Sequence, residues 1–181
     1  MMNLPNKLTL FRVILIPFFV AALLIPGLPG GKWIALVFFC VASITDFFDG
    51  KLARKYNMVT NFGKFMDPLA DKLLVGSASI CLTALGLLPA WITVILIGRE
   101  FIISGFRLVA ANQNIVIAAS WWGKCKTFVQ IFMIIALIIH LDNTVWFVIE
   151  QILIWASLVL TLVSLLDYIM KNKHVLSTEK T

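Results

Sequence analysis

Four aspartates fall within one short stretch of the chain, TDFFDGKLARKYNMVTNFGKFMDPLADK, residues 45–72. They are Asp46, Asp49, Asp67 and Asp71, four of only nine acidic residues in the sequence. The first two are three positions apart and the last two are four apart, so on a helix of 3.6 residues per turn each pair shares one face. Gly50, Ala53 and Arg54 continue the first face. The intervening KYNMVTNFGKF reads as a short turn, which makes the two helices neighbours and lets the four carboxylates converge. Left uncompensated, such carboxylates repel one another. Hard divalent cations remove that problem, because Mg2+ and Mn2+ prefer oxygen ligands. Two such ions about 3.5–4 Å apart are the usual device for displacement at phosphorus. Gly50 leaves the backbone open to the close approach of a phosphate or sugar, and Arg54 supplies a cation for that phosphate. The plainer alternative is that these acids sit at helix ends and reach into headgroup water. It suits any one of them, but not two matched pairs with Gly and Arg at helical spacing. Acids inside membrane helices are costly and usually functional.

The elements that carry these aspartates are built for lipid. The 181 residues are 61% hydrophobic and 13% charged, with a mean hydropathy of +0.98, which exceeds what a soluble core of this size could hide from water. Six apolar segments are predicted: 8–26, 33–48 with a more polar continuation to 56, 66–87, 90–110, 120–140 and 144–170. Each reaches or approaches the roughly 20 residues needed to cross about 30 Å of hydrocarbon. Runs this long are helices, not barrel strands. The expected fold is therefore all-α with six transmembrane helices and a short N-terminal amphipathic segment at NLPNKLT, where Pro5 suits a first turn. IPGLPGGKW after the first segment lacks a small-residue cleavage site, so that segment is expected to stay as a helix. One membrane domain over 1–172 is followed by a polar tail, 173–181.

Charge sets the expected orientation. With the N-terminus in the cytoplasm, every Lys and Arg except Lys32 falls at a cytoplasmic end, a strong positive-inside bias that also places the C-terminus there. The net charge of +6 is dispersed among apolar runs with no basic, aromatic-interleaved face, so nucleic acid is not an expected partner. Trp33, Trp91 and Trp146 fall near the outer ends and Trp121 and Trp122 near an inner one, positions that suit interfacial anchoring and ordinary packing equally. Cys40, Cys81 and Cys125 have no ligand spacing and read as packing residues. His140 and His174 stand alone in the sequence.

The pattern Asp46-x2-Asp49-Gly50-x2-Ala53-Arg54-x8-Gly63-x3-Asp67-x3-Asp71 resembles, at every fixed position, the signature of the CDP-alcohol phosphotransferase family. The resemblance implies a six-helix membrane enzyme, usually a homodimer, that uses two divalent metals (Mg2+ or Mn2+) per site. Such enzymes displace CMP from a CDP-linked donor with an acceptor hydroxyl. Asp46, Asp49, Asp67 and Asp71 then correspond to metal ligands, with Asp71 also taking the acceptor's proton as the catalytic base. Gly50, Ala53, Arg54 and Gly63 correspond to the CDP pocket, and Asn6, Thr9 and Thr60 to contacts on the cytidine side.

An acceptor that carries a phosphate needs fixed cations. Arg99 and Arg107 in GREFIISGFRL lie about 80° apart around one helix, and Lys124 and Lys126 open the next. Topology alone explains cationic helix ends, but Arg99 lies deeper than topology requires, with Glu100 beside it as a partner. NLPNKLTLFRVILIPFF, DPLADKLLV, GREFIISGFRL and GKCKT resemble the bacterial branch whose donor is CDP-diacylglycerol and whose acceptor is sn-glycerol 3-phosphate. Gly98 departs from the small residue such as Ala expected there. The resemblance implies a phospholipid-synthesising enzyme of the bacterial cytoplasmic membrane with its site facing the cytoplasm. Other acceptors within the family, serine or inositol phosphate, stay open. So do an intramembrane prenyltransferase and a cation transporter, the former lacking the Gly–Ala–Arg–Gly spacing and the latter predicting acids spread along a pore.

Overall fold

In the computed structural model the described residues are 4–55, 61–112 and 120–172, of which 4–6, 46–55, 61–68, 71, 111 and 112 are described as helical backbone only. They form six helices: α1 (Leu4–Leu24), α2 (Gly31–Lys55), α3 (Asn61–Ala84), α4 (Ala90–Asn112), α5 (Trp121–Ile139) and α6 (Thr144–Asn172). No strand occurs among the described residues. The helices divide into two compact units, Met1–Leu87 with α1–α3 and Leu88–Thr181 with α4–α6.

Polarity is inverted relative to a water-soluble protein. Val94 and Phe101 are 70% exposed and Val145 71%, whereas Arg12, Arg99, Lys126, Gln130, Glu150 and Ser164 are buried. With lipid as solvent, apolar side chains gain nothing by turning inward and polar ones gain partners. Lys7–Leu24, Trp121–Ile139 and Thr144–Asn172 are long and apolar enough to cross a membrane, while Gly31–Thr45 and Lys72–Ala84 are shorter apolar stretches.

Two boundaries differ from expectation. From Leu4 on, the residues of NLPNKLT open α1 instead of forming a separate amphipathic element, because Pro5 in a first turn lacks only an N–H that needs no helical partner. The turn expected at KYNMVTNFGKF is shorter, since α2 runs to Lys55 and α3 begins at Asn61. The tail 173–181, His174 included, lies outside the described residues.

In the first unit α1 and α2 form an antiparallel hairpin. Gly27 and Gly30 turn the chain at φ of 74° and 70°, conformations L side chains rarely adopt. Gly31 lets the backbones meet, for a Cβ there would sit 2.6 Å from the Ala22 carbonyl oxygen. Phe18 pairs with Phe38 and Phe19 with Phe39, at centroid distances of 6.4 and 5.9 Å. The third helix of this unit, α3, packs on both α1 and α2.

In the second unit α5 and α6 are antiparallel, and α4 runs parallel to α6, as the ring pairs Trp91–Trp155 and Phe106–Tyr168 require. Ser120 caps α5, its hydroxyl accepting from the Gly123 N–H at 3.1 Å. At the other end His140, with a φ of 30°, closes α5, its Nδ1 lying 2.9 Å from Oε1 of the buried Glu150. The histidine that stands alone in sequence thus joins α5 to α6. Asn143 caps α6 by accepting from the Trp146 N–H, and the Trp146 indole donates to the Ala136 carbonyl.

Candidate active site

The signature aspartates occupy the adjoining ends of two consecutive helices that touch. Asp49 lies six residues before the end of α2, and Asp67 lies six residues after the start of α3. At 1.5 Å per residue both are about 9 Å from those ends. Asp46 and Asp71 lie further in, at about 14 and 15 Å. The two pairs are thus at matched depths on neighbouring helices. An all-carboxylate set at matched depth suits a hard divalent ion and no soft one. Among the residues with described side chains no three His, Cys, Asp or Glu gather as a metal group. Gly50, Ala53 and Arg54 fall in the last turns of α2, Gly63 near the start of α3, and Asn6 in the first turn of α1. Thr60 lies outside the described residues.

The first helix brings more to this end than the sequence reading assigned it. Its inward face carries Thr9, Arg12, Ile16 and Phe19, at 1%, 0%, 6% and 0% exposure. Phe19 meets Phe39. Counting seven residues back from Phe19 and seven forward from Phe39 sets Arg12 level with Asp46. Three further steps set Thr9 level with Asp49. Arg12, one of the cations attributed to topology, is therefore a wholly buried charge at the depth of the signature. Its helical spacing from Thr9, Ile16 and Phe19 was the signal for it.

The second unit assembles part of the expected cation set. Arg99 is nine residues into α4 and 8% exposed, and Lys126 on α5 is 1% exposed. Both donate to one oxygen, Glu100 Oε1, with Arg99 Nη1 at 2.8 Å and Lys126 Nζ at 2.6 Å. Arg99 Nε donates to Ser164 Oγ on α6 at 3.1 Å, and that hydroxyl donates to the Thr161 carbonyl at 3.0 Å. The remaining Arg99 nitrogen, Nη2, faces the first turn of α5, 3.2 Å from where a Cβ on Gly123 would sit. The helix dipole adds positive potential at this end of α5, on the same side as that nitrogen. Arg107 and Lys124 are exposed and stand apart from this triad. A Cβ at Gly98 would meet nothing within 4 Å, so that departure leaves packing undisturbed. Glu100 as a bridge to Lys126, and Ser164 as an anchor, were not foreseen from sequence.

Residues 2–163 match the sequence profile of the family described as CDP-alcohol phosphatidyltransferase. The chain belongs to this family. A Bacillus subtilis (strain 168) CDP-diacylglycerol--glycerol-3-phosphate 3-phosphatidyltransferase is 43% identical over 191 aligned positions, covering 98% of this chain and 99% of that protein. A Mycobacterium tuberculosis (strain H37Rv) probable phosphatidylglycerophosphate synthase is 43% identical, covering 92% of this chain and 80% of its own length. A Haemophilus influenzae protein with the same name as the Bacillus one is 39% identical, with 94% of each chain covered. Membership in the CDP-alcohol phosphatidyltransferases sets aside the prenyltransferase and transporter alternatives.

Proposed function

We propose that this chain transfers the phosphatidyl group of CDP-diacylglycerol to sn-glycerol 3-phosphate, giving phosphatidylglycerophosphate and CMP. The observation that carries the reading is the 43% identity to the Bacillus enzyme along practically the whole of both chains. The Arg99–Glu100–Lys126 triad supports it, because a phosphorylated acceptor requires fixed cations and serine does not.

Asp46, Asp49, Asp67 and Asp71 are the residues to hold two divalent ions, which when bound neutralise the donor diphosphate and the departing CMP. Gly50, Ala53 and Gly63 give the CDP moiety close access to backbone, with Asn6, Thr9 and Thr60 toward cytidine. Arg54 pairs with the diphosphate. Asp71 takes the proton of the acceptor's primary hydroxyl. That oxygen bonds to the phosphorus bearing diacylglycerol, the bond from this phosphorus to the oxygen of CMP breaks, and CMP leaves as the anion beside Arg54. Arg99 and Lys126, with the exposed Arg107 and Lys124 at their margin, hold the acceptor phosphate.

The same reading places six spans in a bacterial cytoplasmic membrane, both termini and the site on the cytoplasmic side, in a homodimer. The parallel course of α4 and α6 and the antiparallel α1–α2 and α5–α6 hairpins agree with an up-and-down passage. The test is purified protein with CDP-diacylglycerol and radiolabelled glycerol 3-phosphate, serine and inositol phosphate offered separately, with CMP release followed. Labelled phosphatidylglycerophosphate is expected from the first alone. Serine or inositol phosphate incorporation in its place refutes the acceptor assignment.

A further inference from the structure

We infer that Glu100 is a positioning residue for the acceptor phosphate, an internal anion that fixes Arg99 and Lys126 at one place before substrate arrives. The inference rests on the acceptor reading given above. Its observations are geometric. A single carboxylate oxygen takes both cations, at 2.8 and 2.6 Å, and so ties α4 to α5. Arg99 is tied in addition to α6 through Ser164. Its side chain is 9% exposed and that of Lys126 is 2%. Two cations brought this close in a poorly solvated site repel, and a long lysine side chain left to itself would turn toward water. Glu100 supplies the charge that keeps both in place.

Glu100 offsets part of the positive charge that Arg99 and Lys126 bring together. The Glu100 side chain is 24% exposed, more than either cation. It takes Arg99 Nη1, while Nη2 of the same guanidinium faces the first turn of α5. Holding two charged donors ready lowers the ordering cost of binding, the general benefit of preorganisation. An opposite role is conceivable on the same contacts: a carboxylate that competes with phosphate for its cations. The two differ in sign.

The experiment is steady-state kinetics of the full-length enzyme carrying Glu100→Gln, which keeps the shape and one acceptor oxygen but loses the charge. Inorganic phosphate serves as a competing probe. The KM for glycerol 3-phosphate is expected to rise about tenfold, the worth of one hydrogen bond to a charged group. The inhibition constant of inorganic phosphate should rise with it. Neither kcat nor the KM for CDP-diacylglycerol should move by more than about twofold, a split that general damage to the fold does not produce. Glu100→Asp keeps the charge on a shorter arm and should fall between. An acceptor KM at the parent value, or below it, overturns the inference. Where Glu100→Gln does not fold, Glu100→Asp decides on the same two KM values. Arg99→Met and Lys126→Met separate the layers. If these leave the acceptor KM unchanged, the acceptor reading of the cations fails, and this inference falls with it. If they raise it and Glu100→Gln does not, only the role of Glu100 falls.

Discussion

Ser164→Ala probes a contact that no sequence motif announces. Ser164 is fully buried on α6, and its hydroxyl is the acceptor for Arg99 Nε at 3.1 Å. The substitution removes the acceptor and leaves the charge, so an Nε–H that is almost wholly buried loses its partner. A hydrogen bond to a charged group is worth about 1.5–3 kcal/mol. The hydroxyl's own bond to the Thr161 carbonyl is a local back-bond within α6, of a kind whose loss costs a helix little. A net destabilisation of about 1–2 kcal/mol follows, at the lower side of that range because the guanidinium can shift toward Glu100. That shift moves Nη2 relative to the α5 N-terminus, so the acceptor KM should rise about three- to tenfold, at about 1.4 kcal/mol per factor of ten. The assay is initial rate against glycerol 3-phosphate at saturating donor, beside thermal unfolding of the purified protein. Ser164→Thr keeps the hydroxyl and should recover most of both. A Ser164→Ala enzyme with parent stability and parent acceptor KM would show that α6 does not hold Arg99.

The carboxylates separate by their response to Mg2+. Asp49→Asn loses only a ligand, so excess Mg2+ should restore part of its activity. Asp71→Asn loses the base as well and should stay about 10²–10⁴-fold slow at any Mg2+ concentration; full rescue of that variant would make Asp71 a ligand alone. Arg12→Met should lower activity about tenfold or more, since it deletes a buried cation level with Asp46, and Arg12→Lys should regain part of it. Parent-like turnover of Arg12→Met would detach α1 from the site. Lys126→Ala should raise the acceptor KM more than Arg107→Ala, because the first is buried on Glu100 and the second is exposed. An equal or reversed order would place the phosphate nearer the rim.

Helix existence was legible in the sequence for one physical reason, which also makes the aspartates conspicuous. In lipid, a spanning helix must be apolar, so each polar residue stands out against its neighbours and its helical phase can be read directly. The aspartates do this as two pairs at helical spacing, Asp46 and Asp49 on α2 and Asp67 and Asp71 on α3. What could not be read was which faces meet. Periodicity gives Arg99 a side of α4, but not that Ser164, 65 positions away, lies opposite it. Nor does it give Glu100 and Lys126, 26 positions apart, as partners. For the same reason Arg12 passed as a topology marker. A cation near a cytoplasmic helix end satisfies the positive-inside rule whether it faces water or the protein interior, and only its burial tells the two apart. A cation count thus bears on orientation, while burial singles out the cations that the packing withdraws from the rim. Among the described residues these are Arg12, Arg99 and Lys126. Arg107 and Lys124, equally basic and on the same segments, answer first to topology.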